Sequence, residues 1–179
     1  MPSITQISNT PSEARDEWRT PRWLFEWLDM RWAFDVDLAC SASNSLVDNA
    51  HQIRLRYPDM LDYPWLEFGR TGFLNPPYSD IDPWLTAAIL EAKKGFTTVM
   101  LIPLPNGELR YRDIYSHASE IIDIVGRVPF VDANRVEVPG NTRGSCVVTF
   151  SPGLRGCARS WVMRDWIREQ YECEAPRAG

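Results

Sequence analysis

Apolar positions along the chain gather in short runs separated by polar, proline-bearing stretches, and the spacing within each run predicts alternating helices and strands. After Thr20-Pro21, Trp23, Leu24, Trp27 and Leu28 recur at helical spacing, with Thr20 as the N-cap and Pro21 as the first helical residue. Phe34, Val36 and Leu38 then alternate with Asp35 and Asp37, a strand pattern that runs to Ala39. Residues 40–70 are the least regular, with a helix expected over 46–54 and turns over 61–65. Residues 71–74 read as a short buried strand stopped by Asn75-Pro76-Pro77, since consecutive prolines cannot continue a central ladder. A helix follows from Pro83 to Lys94, closed by Gly95, then a β-branched strand over 97–102 halted by Pro103. A helix over 109–118 and a strand over 121–125 come next. Strands over 128–131 and 145–150 are expected as a terminal hairpin around a polar loop, 132–144, and a helix over 159–171 carries Val162, Trp166 and Ile167 on one side.

This order of elements predicts an α/β fold: a mostly parallel central sheet, helices on both faces and an antiparallel C-terminal hairpin at the edge. The polar, aperiodic residues 1–16 are expected to form a flexible arm, and 17–179 one compact domain. With 179 residues and 44% hydrophobic content the chain can bury a sizeable core. No apolar run reaches the length of a membrane span, and the N-terminus has no secretory pattern, so a cytoplasmic protein without a membrane partner is expected. The four cysteines are far apart with no CxxC pair, which suits reduced thiols and no metal site. His51 and His117 are isolated and fit no triad.

The net charge of −5 argues against a protein that coats nucleic acid by bulk charge. Residues 105–168 nevertheless carry nine basic side chains, all arginine, against seven acidic ones. Arginine is the better fork for phosphates and base edges, although a solvated surface also accounts for a mild bias.

In such sheets ligands bind beyond the carboxyl ends of the strands, which directs attention to Asp37-Leu38-Ala39-Cys40 and Asn75-Pro76-Pro77-Tyr78. The second has definite chemistry. The exocyclic amine of a nucleobase is a poor nucleophile because its lone pair is delocalised into the ring. The Asn75 side-chain carbonyl and the Pro76 backbone carbonyl can accept its two N–H groups and so stabilise positive charge developing on the nitrogen. Pro76 and Pro77 hold both carbonyls in place beforehand, and Tyr78 offers a flat face for an extruded base. A turn that merely ends a strand is the bland alternative. Asp37 could instead cap a following helix, the lesser of its two readings, and on local grounds Thr20-Pro21 could equally be a plain helix start.

Several motifs then fall in one order: Asp16-Glu17-Trp18-Arg19-Thr20-Pro21, Phe34 to Cys40, Trp65, Phe73 to Tyr78, Trp84, Val99 to Pro103, Gly126 to Phe130, and the loop from Pro139-Gly140 to Ser145. In these the chain resembles the phage-type, Dam-like DNA N6-adenine methyltransferases, which use S-adenosylmethionine. The resemblance implies a Rossmann-like methyltransferase fold in a phage- or prophage-encoded protein. It implies that Trp18, Thr20, Pro21, Asp37, Ala39 and Asn75 border the cofactor, with Asp59 or Asp62 as a further contact. It places Asn75, Pro76, Pro77 and Tyr78 around the target adenine. The turn 40–44 departs from most methyltransferases in containing no glycine. With too little chain for a separate recognition domain, double-stranded DNA would be gripped by loops within 105–145 through Arg110, Arg112, Arg127, Arg135 and Arg143. Other uses of this chemistry are N4-cytosine methylation, methylation of a glutamine amide, or a degenerate methyltransferase that only binds DNA. A dinucleotide-dependent dehydrogenase is set aside because GxGxxG is absent.

Overall fold

A computed structural model of the chain describes residues 18–41, 44–47, 59–104, 110–138, 141–153 and 156–174. The expected arm at 1–16, most of the expected helix at 46–54, and His51 lie outside them. Helix α1 (Arg22–Trp32) leads into β1 (Val36–Asp37), followed by 3-10 turns at Met60–Asp62 and Trp65–Glu67. Then come β2 (Thr71–Leu74), α2 (Asp82–Lys94), β3 (Thr97–Pro103), α3 (Arg110–His117), β4 (Glu120–Val125), β5 (Ser145–Phe150), β6 (Ala158–Met163) and α4 (Arg164–Glu174). The strands form one sheet in the order β1-β2-β3-β5-β4-β6. β1, β2 and β3 pair in parallel, as do β4 and β6, while β5 runs antiparallel to both its neighbours, β3 and β4.

The mostly parallel sheet is as expected, but its antiparallel element is not a hairpin edge. β5 sits inside the sheet, and the outer strand β6 is parallel to its neighbour. Residues 128–131 form no strand; Val131 alone makes isolated bridges, to Arg19 and Glu137. Val128 and Phe130 are nonetheless fully buried, as side chains that plug the core from a loop. The expected helix over 159–171 divides: 158–163 is strand and only the remainder coils. Every residue of β6 except Val162 is exposed, so no apolar period marked it, and Trp166 also faces solvent.

Strand alternation sends neighbouring residues into two separate cores. Leu74, Met100, Ile102, Ile121, Cys146, Val148 and Phe150 pack under α2 and α3. Phe73, Val99, Leu101, Ile122, Ile124 and Val147 pack on the other face with Trp23, Leu24, Phe25 and Leu28 of α1 and Ile167 of α4. Three layers result, each fully buried Leu or Phe contributing roughly 1.5–3 kcal/mol. Gly95 closes α2 at φ +113, as its sequence position foretold. α1 instead ends on Ala33, at φ +48, with its amide donating to the Asp29 carbonyl and that of Phe34 to Asp29 Oδ1. Ala33 is exposed, so Ala33→Gly should relieve the left-handed backbone and add up to about 1 kcal/mol of stability. A thermal melt would show this as a midpoint raised by about 2–4 °C; an unchanged or lower midpoint contradicts it.

Candidate active site

β1 and β2 end side by side. Asp37 is in register with Phe73, Leu38 donates its amide to the Phe73 carbonyl at 2.9 Å, and Asn75 follows one residue after Leu74, where the strand stops. Two prolines in succession remove the ladder donors and fix the backbone at this point. Pro76 is buried, and Asn75, Pro77 and Tyr78 are half-buried. The Asn75 Oδ1 and the Tyr78 hydroxyl are themselves inaccessible, and neither has a hydrogen-bond partner among the described residues. An unsatisfied buried polar atom costs about 1–3 kcal/mol, so two in one tetrapeptide at a strand end call for an explanation that folding alone does not supply. The Tyr78 ring stands edge-on to Phe130, with centroids 5.9 Å apart at 88°. Burial, and to a smaller extent the neighbouring Cys146 and Tyr111, raise the Tyr78 pKa far beyond the phenol range, so the hydroxyl stays neutral.

Asp37 is 5% exposed and accepts the Leu46 amide on Oδ2 at 3.3 Å, so its carboxylate organises the loop after β1. No helix begins at residues 38–41 or 44–47, and the rest of the expected helix at 46–54 lies outside the described residues. Ala39 packs partly buried against the α2-side core. The Cys40 thiol, itself buried, donates to the Asp37 carbonyl at 3.1 Å, and Asn44 Oδ1 receives the Ser41 amide. Side chains thereby hold Cys40, Ser41 and Asn44, the described residues of the glycine-free turn.

The other expected cofactor neighbours come from the start of α1. Pro21 takes the N-cap position with no side-chain cap, one residue later than expected of Thr20, which is buried without capping the helix. Trp18 stacks on Phe130 at 6.1 Å and 23°, and Phe130 meets Tyr78, so three aromatic rings join the chain before α1 to the end of β2. That connection is not legible in sequence: Trp18 and Phe130 are far apart along the chain, and the pattern places Phe130 in a strand. Trp65, by contrast, is 1% exposed, gives its indole N–H to the Met60 carbonyl at 2.8 Å and packs on Phe96, a core residue. Asp59 accepts the Leu61 amide at the first 3-10 turn.

The arginines lie at the same edge of the sheet. Arg110 and Arg112 open α3, which follows the end of β3; Arg112 is largely exposed and pairs with its neighbour Asp113. Arg127, Arg135 and Arg143 belong to the segment between the end of β4 and the start of β5. Asn141 staples the arms of that segment: its Nδ2 donates to the Val128 carbonyl at 2.9 Å, and its Oδ1 accepts the Arg143 amide. Asp132 builds the tip, its Oδ1 accepting the Asn134 and Val136 amides at 2.8 and 2.9 Å. The Val136 amide, foremost, holds the Asp132 carboxyl below the usual carboxylate range. Arg135 follows in this turn at φ +63. Neither Cys40 nor Cys146 is placed as a nucleophile; burial first, then the Asp123 charge, pushes the Cys146 thiol up to about 12. His117 is exposed, and no group of three His, Cys, Asp or Glu side chains among the described residues could hold a metal ion. Nor is any helix among them long and apolar enough to cross a membrane.

The fold and the site define a mixed α/β protein whose unsatisfied polar groups and loop-borne arginines share one edge of a six-stranded sheet. The chain belongs to the DNA N-6-adenine-methyltransferase (Dam) family, which it matches over residues 7–170. It is 27% identical to the DNA N-6-adenine-methyltransferase of Escherichia phage T1 over 157 residues, covering 78% of this chain and 64% of that protein. It is 29% identical to that of Haemophilus phage HP1 (strain HP1c1) over 150 residues, covering 81% of this chain and 84% of that protein. No solved structure matches it significantly.

Proposed function

We propose that this chain transfers a methyl group from S-adenosylmethionine to the N6 amine of adenine in double-stranded DNA. The observation that carries the reading is the buried Asn75 Oδ1 at the rigid end of β2, without a partner among the described residues, in a member of the Dam family. On this reading the sheet is a Rossmann-like methyltransferase sheet, with β1 on the cofactor side and β2 on the substrate side.

The residues present suit the methyl donor. Its positive centres call for acceptors, and the strand ends offer a buried carboxylate at Asp37 beside small side chains at Ala39 and Cys40. Trp18, Thr20 and Pro21 close the opposite side through the Trp18–Phe130 stack. When bound, S-adenosylmethionine supplies an electrophilic methyl group on a sulfonium. The Asn75 side chain would turn its covered Oδ1 toward the base, and with the Pro76 carbonyl it would accept the two N–H groups of the adenine amine and direct the lone pair toward the methyl group. In the transfer the N–C bond would form as the S–C bond breaks and S-adenosylhomocysteine leaves; the nitrogen would become cationic, and these two acceptors would stabilise it until one proton passes to solvent. The neutral Tyr78 bears on the base as an aromatic surface, with Phe130 fixing its ring. Arg110, Arg112, Arg127, Arg135 and Arg143 would meet phosphates or base edges, a set fit for a short recognition site.

The test is transfer of tritiated methyl groups to unmethylated duplex DNA, followed by nucleoside analysis. N6-methyladenine is the expected product. N4-methylcytosine alone would reassign the substrate, and binding of DNA without transfer would make the chain a binding module.

A further inference from the structure

The two ends of the sheet differ. β1 is an edge of two residues, whereas β6 is an edge of six, paired with β4 without a break from Glu120 beside Ala158 to Val125 beside Met163. Natural edges of this length are blunted by proline, lysine, a bulge or a covering segment. β6 has no proline, lysine or bulge, and among the described residues nothing pairs with its outer side. Alternation fixes what that side offers. The Ala158 amide donates to the Ser119 carbonyl at 3.0 Å, so Ala158, Ser160 and Val162 turn their backbone groups to β4, and Arg159, Trp161 and Met163 turn theirs outward. The side chains of these last three lie on the α3 face: Arg159 gives an N–H to the Tyr115 hydroxyl at 2.9 Å, whereas Val162 packs on the opposite core. There Trp161 is 68% exposed and Met163 45%, and Tyr115 and Val125 beside them are exposed too.

We infer that two copies of this chain join through β6, edge to edge, about a two-fold axis. Identical edges related by such an axis run antiparallel. Only the odd-numbered residues carry outward backbone groups, so the register that pairs the whole strand sets Trp161 opposite the partner's Trp161, and Arg159 opposite the partner's Met163. The two tryptophans then exchange both main-chain hydrogen bonds, and their rings meet on one face with Met163, Val125 and Tyr115 in a single apolar patch. Charge does not oppose this. Arg159 is the one charged residue of β6, and Asp123 Oδ2 already holds it at 2.8 Å. Buried on both copies, these side chains and the strand backbone come to roughly 1,000–1,200 Å², the lower end of specific interfaces, which sets a dimer of micromolar affinity. Because the strands run opposite ways across the axis, the two active-site edges point away from one another, and each copy meets its own DNA. The inference does not depend on the reaction assigned above.

Sedimentation of the full chain over about 1–100 µM tests it, with amide exchange on the same samples. A monomer–dimer equilibrium is expected. In the dimer the Arg159, Trp161 and Met163 amides should gain protection, whereas those of Ser160 and Val162, bonded to β4, should be protected at both ends of the range. A contact made by side chains alone would not produce that alternation. Trp161→Lys sets like charges opposite one another, and Trp161→Pro removes the outward amide without losing a bond to β4; each should weaken the dimer by at least about tenfold. Trp161→Lys, at an exposed position, should melt as the wild type does at low concentration. A monomer throughout overturns the inference and leaves the edge to a strand of some other protein. A dimer that survives both variants, or one without the alternating protection, overturns it by placing the contact elsewhere. Larger open assemblies contradict it as well, since each copy has one such edge to give.

Discussion

Asn75→Ala is expected to lower methyl transfer by at least about a hundredfold, the usual loss when one preorganised charge-stabilising contact is removed from a reacting centre. Cofactor affinity and melting temperature should change little. The deleted Oδ1 has no partner among the described residues, so its removal breaks none of their hydrogen bonds and discards a desolvated oxygen. That combination separates the chemical role from a structural one. A residue that merely ended β2 would, on truncation, move stability and leave turnover alone. Asn75→Asp sharpens the comparison, since it keeps an acceptor oxygen on the same short stem and should retain far more activity than alanine. Transfer by the alanine variant within about threefold of wild type would sink the role assigned to Asn75.

Gly69→Ala should be the most destabilising single-methyl change at the site's foundation. Gly69 adopts φ +152, and a Cβ built there would lie 2.2 Å from the Cβ of Asp35, a collision that no side-chain rotation relieves. Asp35 cannot easily retreat. Its Oδ2 accepts the amides of Arg70 and Thr71 at 2.7 and 3.0 Å, and its own amide donates to the Thr71 carbonyl. These contacts fix where β1 starts relative to β2, and therefore where Asp37 stands relative to Asn75. The expected loss is at least about 2 kcal/mol, seen as a melting midpoint lowered by roughly 4–8 °C. Affinity for S-adenosylhomocysteine should fall in parallel, because the register of the two strand ends is disturbed. A melt within a degree or so of wild type would mean that β1 and β2 are aligned by something other than this contact.

How far the sequence revealed the fold depended on whether an element faced a core. β2, β3 and α2 were placed within a residue or two because each is bounded by punctuation, Asn75-Pro76, Pro103, Pro83 and Gly95, and packed against both or one of the apolar layers. β6 was mistaken for helix because an exposed edge strand has no burial to impose a period of two, so Val162 and Ile167 simulated a helical face instead. Val128 and Phe130 misled in the opposite way: they are as buried as strand residues but hang from a loop. The tetrapeptide at Asn75 was legible because its chemistry is local. The Trp18–Phe130–Tyr78 stack was not, since it is made by residues that only the folded chain brings together.

The place of β5 bears on how this chain can be made. During synthesis β1 to β4 emerge first, yet β3 and β4 are not neighbours; the strand that joins them ends at Phe150. Until that residue has left the ribosome, the nascent chain can hold only partial sheet, with β3 and β4 each presenting a raw apolar edge. The halves are stitched by threading one strand between them, a closure of widely separated contacts that is slow and leaves edges open to wrong partners. Nascent chains stalled before Phe150 should therefore depend on chaperones, while those that have released β5 should already resist protease.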